Sequence, residues 1–228
     1  MAKQANGPTE GVVLPFEQPI VRLERQIVEL EAAQAQSGRD YTSEIRRFRA
    51  QLVALLRKTY ENLTAWETVQ VARHPGRPVA GDYIERVFKN FVELHGDRRF
   101  ADDRAVRCGL AQIGGERVAV IAQHKGRDTK EKIACNFGCA HPEGYRKALR
   151  VMKLGEKFGL PIVSLIDTQG AYPGVGSEER GVAESIARNM LEMSRLRTPI
   201  VCVVLGEGGS GGALGVGVGD WIAMMEYS

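Results

Sequence analysis

The stretch from Gly206 to Ala213, Gly-Glu-Gly-Gly-Ser-Gly-Gly-Ala, constrains this chain more than any other. It follows an apolar run, Pro199 to Leu205, and eight glycines fall between Gly206 and Gly219. A glycine raises the entropy lost on folding, by roughly 0.5–1 kcal/mol relative to alanine, so this density implies that something comes close to the backbone. A strand-to-helix turn without Cβ atoms can aim N–H groups at an anion or at a developing oxyanion. Three patterns fit the same residues. Gly206, Gly208 and Gly211 spell the G-x-G-x-x-G of dinucleotide sites, and Gly208, Ser210 and Gly212 spell the G-x-S-x-G nucleophile elbow. The third is an oxyanion hole with no side-chain nucleophile. A P-loop is excluded, because Gly212 stands where its lysine must be.

The dinucleotide pattern gains from Glu226, which lies 20 residues after Gly206 where a ribose carboxylate would stand. Against it, Ala213 to Gly219 offers too few residues for a parallel crossover with its helix. The elbow needs an Asp and a His after the serine, whereas His74, His95, His124 and His141 all precede Ser210. Cys135, Cys139 and His141 are close together, but their spacing is not that of a zinc knuckle and no fourth ligand is evident, so no metal site is expected.

With 43% hydrophobic residues the chain can bury a substantial core, and its 31 basic residues are interspersed with 28 acidic ones, which argues against a nucleic-acid binder. Cys108, Cys135, Cys139 and Cys202 show no disulfide-framework spacing, so a reducing compartment is expected. Neither an apolar leader nor a membrane-length apolar run is evident, so the expected location is cytoplasmic.

Residues 1–15, with Gly7, Pro8, Gly11 and Pro15, read as a loose tail. Residues 16–75 read as a helical hairpin, with Ile20, Leu23, Ile27 and Leu30 on one helix and Ile45, Phe48, Leu52 and Leu55 on the next, followed by a third piece over Ala65 to Arg73. The breakers His74 to Pro78 mark a boundary, after which residues 76–228 form an α/β domain. There the pattern predicts a helix over Asp82 to Leu94 capped by Asp82, a hairpin of Ala105–Ile113 with Arg117–His124, and a helix over Pro142 to Phe158. Strands over Pro161–Asp167 and Pro199–Leu205 follow, separated by a helix from Ser177 to Leu196 with Ser177 as N-cap. Trp221 to Glu226 reads as a last strand. Basic residues Lys125, Arg127, Lys130 and Lys132, and the stripe Arg146, Arg150, Lys153 and Lys157, either hold phosphates or form a solvated face.

Longer motifs carry a resemblance. Phe16 to Ile20 (Phe-Glu-Gln-Pro-Ile), Ala72 to Pro75 (Ala-Arg-His-Pro), Lys125 to Glu131, Pro142 to Ala148, Asp167 to Gly174 and Gly206 to Ala213 together resemble the α subunit of bacterial acetyl-CoA carboxylase carboxyltransferase over nearly the whole chain. The resemblance implies a crotonase (ClpP/crotonase-like) fold, with ββα units building two sheets behind the N-terminal helical hairpin. It implies transfer of the carboxyl group from carboxybiotin, held by biotin carboxyl carrier protein, to acetyl-CoA to form malonyl-CoA. The implied partners are a β subunit in an α2β2 assembly, that carrier protein and biotin carboxylase. Gly211 and Gly212 would form the oxyanion hole for the biotin ureido oxygen. Gly208, Gly209, Ala213, Gly170, Ala171, Tyr172 and Gly174 would line the substrate site, with Lys125 and Arg127 near CoA phosphates or the interface. Gln169 stands where family members usually have proline, so a looser turn is expected there, and the usual family length implies a further C-terminal part. A biotin-independent acyl-CoA hydratase or decarboxylase of the same fold, and a non-catalytic assembly subunit, are the alternatives.

Overall fold

The computed structural model describes residues 11–228, which divide into two compact units, one ending at Gly76 and the other Arg77–Ser228. Of the tail read over residues 1–15, residues 1–10 lie outside the described residues. Leu14 is buried and Pro15–Glu17 form a 3-10 turn.

In the first unit α1 (Gln18–Ser37) and α2 (Thr42–Tyr60) form the expected hairpin. Gly38 closes α1 in the left-handed region with φ 68°, where a Cβ would be strained. The helices run antiparallel: Phe16 meets Tyr60 edge-on at 6.1 Å, Glu31 pairs with Arg49, and Gln34 accepts from the Tyr41 N–H. Ile20, Ile27 and Ile45 supply the buried stripe. A third helix, α3 (Ala65–Ala72), starts at Thr64, whose hydroxyl accepts from the Glu67 N–H while Glu67 reaches back to the Thr64 N–H.

The second unit is built on one six-stranded sheet in the order β1 to β6, rather than the two sheets expected. Its strands are β1 (Lys89–Glu93), β2 (Val106–Ile113), β3 (Glu116–Gln123), β4 (Ile162–Thr168), β5 (Ile200–Gly208) and β6 (Trp221–Met224). The first three pair antiparallel and the remainder parallel. The two-residue period sorts side chains to opposite faces. Ala119, Ile121, Ile162, Ile166, Ile200 and Cys202 join one core cluster, with α6 (Pro142–Lys157), which follows the short α5 (Thr129–Ala134), and α8 (Val182–Met193) against it. Val118, Val120, Ala122, Leu165 and Leu205 join a second with α4 (Ala80–Val87).

Three expectations are corrected. The helix read over Asp82 to Leu94 is α4 followed by β1: the three-and-four spacing of Ile84, Val87, Phe88 and Phe91 fits a helix, but Phe88 is extended and the rest pairs with β2. Asp82 is not the cap; from the third helical position it accepts from the Val79 N–H at 2.8 Å. The helix read over Ser177 to Leu196 is two, α7 (Val175–Glu179) and α8, broken at Gly181 with φ 77°. Gly174 caps α7, and Ser177 lies buried inside it, bonded to His141 Nδ1 at 2.8 Å. The parallel crossover judged too short exists: residues 209–220 link β5 to β6 and include α9 (Ser210–Leu214). Among the described residues no helix is long and apolar enough to cross a membrane.

Candidate functional site

The apolar run that opens β5 continues through the first glycines, so Gly206 and Gly208 are strand residues and Gly209 is the cap of α9. What comes close to the glycine stretch is the chain itself. The Gly209 N–H donates to the Thr168 carbonyl at 2.8 Å, which lays the turn against the loop leaving β4. A Cβ on Gly209 would stand 2.3 Å from the Gln169 carbonyl oxygen, and one on Gly212 would stand 2.4 Å from the Gly170 carbonyl carbon. Gly215, Gly217 and Gly219 are likewise filled from within, by Tyr145, the Ala213 carbonyl and Cys202. Gly211 differs, since its nearest neighbour would be Ile186 Cδ1 at 3.5 Å, an ordinary contact.

The sequence positions thus converge only in part. Gly170 and Ala171 meet Gly212 backbone to backbone, while Gly209 meets Gln169, with Gly208, Gly211 and Ala213 in the same stretch. Among the described residues the N–H groups of Gly211 and Gly212 find no acceptor, as expected of the first turn of a helix. On the facing loop Thr168 Oγ1 donates to the Gly138 carbonyl at 2.7 Å and accepts from the Gly170 N–H at 3.1 Å, which shapes that turn without the missing proline. Gln169 turns back to the Cys139 sulfur at 3.5 Å. Tyr172 stacks on His141 with centroids 4.3 Å apart and covers Gly174, where a Cβ would meet its ring at 2.4 Å.

Carboxylates of this chain hold both Lys125 and Arg127, the residues expected near CoA phosphates or the interface. Lys125 Nζ lies 2.7 Å from Asp167 Oδ1 and 2.6 Å from Glu207 Oε2, at the ends of β4 and β5, with its side chain only 17% exposed. Arg127 pairs with Asp82 on α4, apart from the glycine turn. The basic stripe of α6 is likewise taken up inside the unit: Arg146 binds Asp97 and Glu143, Arg150 binds the Gly96 and His95 carbonyls, and Lys153 binds Glu192. The distant partners of these charges left no local signal.

Ser210 has the strained left-handed φ of 52° and an exposed side chain, the features of a nucleophile elbow. The base is missing among the described residues. His124 bonds Glu131, His141 bonds Ser177, His95 bonds Asp102 and His74 bonds the Val12 carbonyl. Burial pushes the Cys135 and Cys202 thiols up to about 11 and the Cys108 thiol to about 12, so these three are poor nucleophiles. Cys135, Cys139 and His141 belong to no cluster of three or more candidate metal ligands among the described residues. A separate cavity of about 510 Å³ includes none of the glycine turn; of its basic residues, Arg107, Lys147 and His124 are matched by Glu93, Asp102 and Glu131, and Arg104 and Lys130 also line it.

Residues 13–228 match the family described as acetyl co-enzyme A carboxylase carboxyltransferase-like. The acetyl-coenzyme A carboxylase carboxyl transferase subunit alpha of Thiobacillus denitrificans is 58% identical over 215 residues, covering 94% of this chain and 67% of the relative. That of Halorhodospira halophila is 56% identical, covering 94% and 68%. This chain belongs to the acetyl-CoA carboxylase carboxyltransferase family. It spans about two thirds of the length of these curated members. The carboxyltransferase fold is also that of transcarboxylase 12S, at TM-score 0.55 and 20% identity over 65% of this chain and 28% of the other. A single-chain, multi-domain long-chain acyl-CoA carboxylase shares it at TM-score 0.53 and 24% identity, over 66% and 15%. Family membership therefore sets the dinucleotide and hydrolase patterns aside as accidents of a glycine-rich carboxyltransferase turn.

Proposed function

We propose that this chain is the α-type half of a carboxyltransferase that moves the carboxyl group of carboxybiotin to acetyl-CoA, yielding malonyl-CoA, the committed step of fatty-acid synthesis. The observation that carries the reading is the family match over residues 13–228, joined by relatives named as carboxyl transferase α subunits. Its partners in this reading are a β subunit, biotin carboxyl carrier protein and biotin carboxylase.

The residues fit a biotin urea in one respect that matters. Among the described residues Gly211 and Gly212 present two N–H groups without acceptors on a turn pinned to Gly170 and Ala171, and a Cβ on Gly211 would meet Ile186 Cδ1 no closer than 3.5 Å. Bound carboxybiotin supplies the carboxyl group. The N–H groups of Gly211 and Gly212 would donate hydrogen bonds to the ureido oxygen and stabilise negative charge there, an effect worth roughly 3 kcal/mol per donor. Gly208, Gly209 and Ala213 hold these donors in place, while Gly170, Ala171, Tyr172 and Gly174 form the facing wall. Lys125 enters as the charge partner of Asp167 and Glu207, and Arg127 as that of Asp82.

The test compares Gly211→Ala with Gly211→Pro in the complex with a β subunit, following malonyl-CoA decarboxylation with free biotin. Alanine keeps the N–H and has room for its methyl; proline removes the donor. The expected result is near-parent kcat for alanine and a loss of roughly 10²- to 10³-fold for proline. Full activity in the proline variant sinks the role of that amide, and turnover independent of biotin favours a biotin-free acyl-CoA enzyme.

A further inference from the structure

Gln123 ends β3 and is wholly buried, in the position that joins the two halves of the site. Its Oε1 accepts from the Asp167 N–H at 3.2 Å, at the end of β4, and its Nε2 donates to the Gly212 carbonyl at 2.7 Å, in α9. The orientation of the amide follows from its partners, since the N–H needs an acceptor and the carbonyl needs a donor. Tyr145 also approaches the Gly212 carbonyl, but at 3.5 Å its hydroxyl is a weak substitute. Asp167 in turn accepts from the Glu207 N–H at 3.0 Å and binds Lys125. Three links therefore run from the end of β4 to the glycine stretch, through Thr168 to Gly209, through Asp167 to Glu207 and through Gln123, and the last reaches the carbonyl of Gly212 itself.

That carbonyl belongs to the peptide following Gly212, so fixing it fixes the ψ angle of Gly212 and with it the first turn of α9. The backbone contact of Gly212 with Gly170 and Ala171 limits how close the turn can come. The Gly209 N–H ties the start of the turn to the Thr168 carbonyl, and Gln123 adds a second tie, to β3 and β4, at Gly212 itself.

We propose that Gln123 is a positioning residue for carboxyl transfer, aiming the Gly211 and Gly212 amides by clamping the Gly212 carbonyl to the end of β4. This rests on the reading of those amides as the donors that meet developing charge. Gln123 is buried away from substrate, so its effect falls on kcat: a turn displaced by a fraction of an ångström loses hydrogen bonds that strengthen only in the transition state.

The experiment uses the assembled complex with a β subunit and the same decarboxylation assay, with rates expressed per assembled complex and thermal unfolding measured in parallel. Gln123→Met keeps the volume and removes both hydrogen bonds; kcat is expected to fall roughly 10- to 100-fold with KM for malonyl-CoA within about twofold. Gln123→Glu is the sharper variant. A protonated carboxyl group reproduces one acceptor and one donor, whereas the carboxylate turns only acceptors toward the Gly212 carbonyl. Burial and that carbonyl raise its pKa, so kcat is expected to recover toward parent as pH falls from about 8.5 to about 6. A merely structural role changes the amount of complex and its melting, not the pH profile of turnover per complex. Unchanged kcat in the assembled methionine variant, or a parent-like pH profile in the glutamate variant, overturns the inference. Should the methionine variant fail to assemble, the isosteric glutamate variant decides. Gly211→Pro separates the two levels: full activity there removes the amide reading itself, while loss there with full activity in Gln123→Met removes only the role of Gln123.

Discussion

Glycines 211 and 212 are neighbours with opposite constraints. At Gly212 an added methyl has only backbone to meet, at 2.4 Å from Gly170 and 2.6 Å from the Ala171 nitrogen, and backbone cannot rotate away. Gly212→Ala is therefore expected to cost about 1–3 kcal/mol by overpacking and to push the turn out of register with β4, read as a lower melting temperature together with reduced kcat. Gly211→Ala, with Ile186 at 3.5 Å, is expected to leave melting within about 0.5 kcal/mol of parent. Equal destabilisation by the two alanines refutes this division. The sequence shows that this stretch is special but not why each glycine is there. Close approach by Gln169, Gly170 and Ala171 comes from a loop some 40 residues upstream, and no local pattern announces it. Gln123 escaped notice for the same reason, since a polar residue at the end of an apolar strand looks like a strand terminus until its two partners are known.

At the level of elements, amphipathic period served well where helices are long and strands central. The hairpin α1–α2, the pair β2–β3, the helix α6 and the strands β4 and β5 all lie where their spacing places them. It failed at the edge of the sheet, where β1 carries a helix-like spacing and is decided by pairing with β2. Gly109 makes that pairing possible, because a Cβ there would fall 2.3 Å from the Val92 carbonyl oxygen and 2.7 Å from the Phe91 ring. Gly109→Val is accordingly expected to detach β1 locally. Hydrogen exchange checks this: amides of Lys89–Glu93 lose protection, while those of β3, β4 and β5 keep theirs. The cost should be about 1–3 kcal/mol, because an edge strand opens without the core. Uniform loss of protection across the sheet contradicts the idea that β1 is a separable edge.

Across the second unit as a whole, charge is stored inside rather than displayed. Arg146 bridges Asp97 and Glu143, Arg180 adds a second bond to Glu143, and Lys147, 1% exposed, holds Asp102 and the Asp103 carbonyl. Burial opposes ionisation of Asp97, Asp102 and Glu143, yet each carboxyl stays below its ordinary value. For Asp97 the N–H groups of Phe100 and Arg99 and the Arg146 guanidinium outweigh burial; for Asp102 it is Lys147 and the Gly96 N–H; for Glu143 it is chiefly Arg180. Carboxyl groups depressed in the folded state add stability that is fully present above their unfolded values of about 4 and is lost as pH falls through the folded ones. Asp103 runs the other way, raised by burial, and offsets part of the effect. Stability should hence be nearly flat from about pH 6 to 8 and decline below about pH 4, followed by urea midpoints across that range. Glu143→Gln removes one ionisation, so its midpoint should be lower at neutral pH but fall less steeply in acid. Arg146→Met should cost about 3–5 kcal/mol, because it leaves buried Asp97 without its guanidinium partner while Glu143 keeps Arg180. An acid limb in Glu143→Gln as steep as the parent's would mean that these ion pairs do not set the acid limit, and that the limit lies with carboxylates elsewhere on the chain.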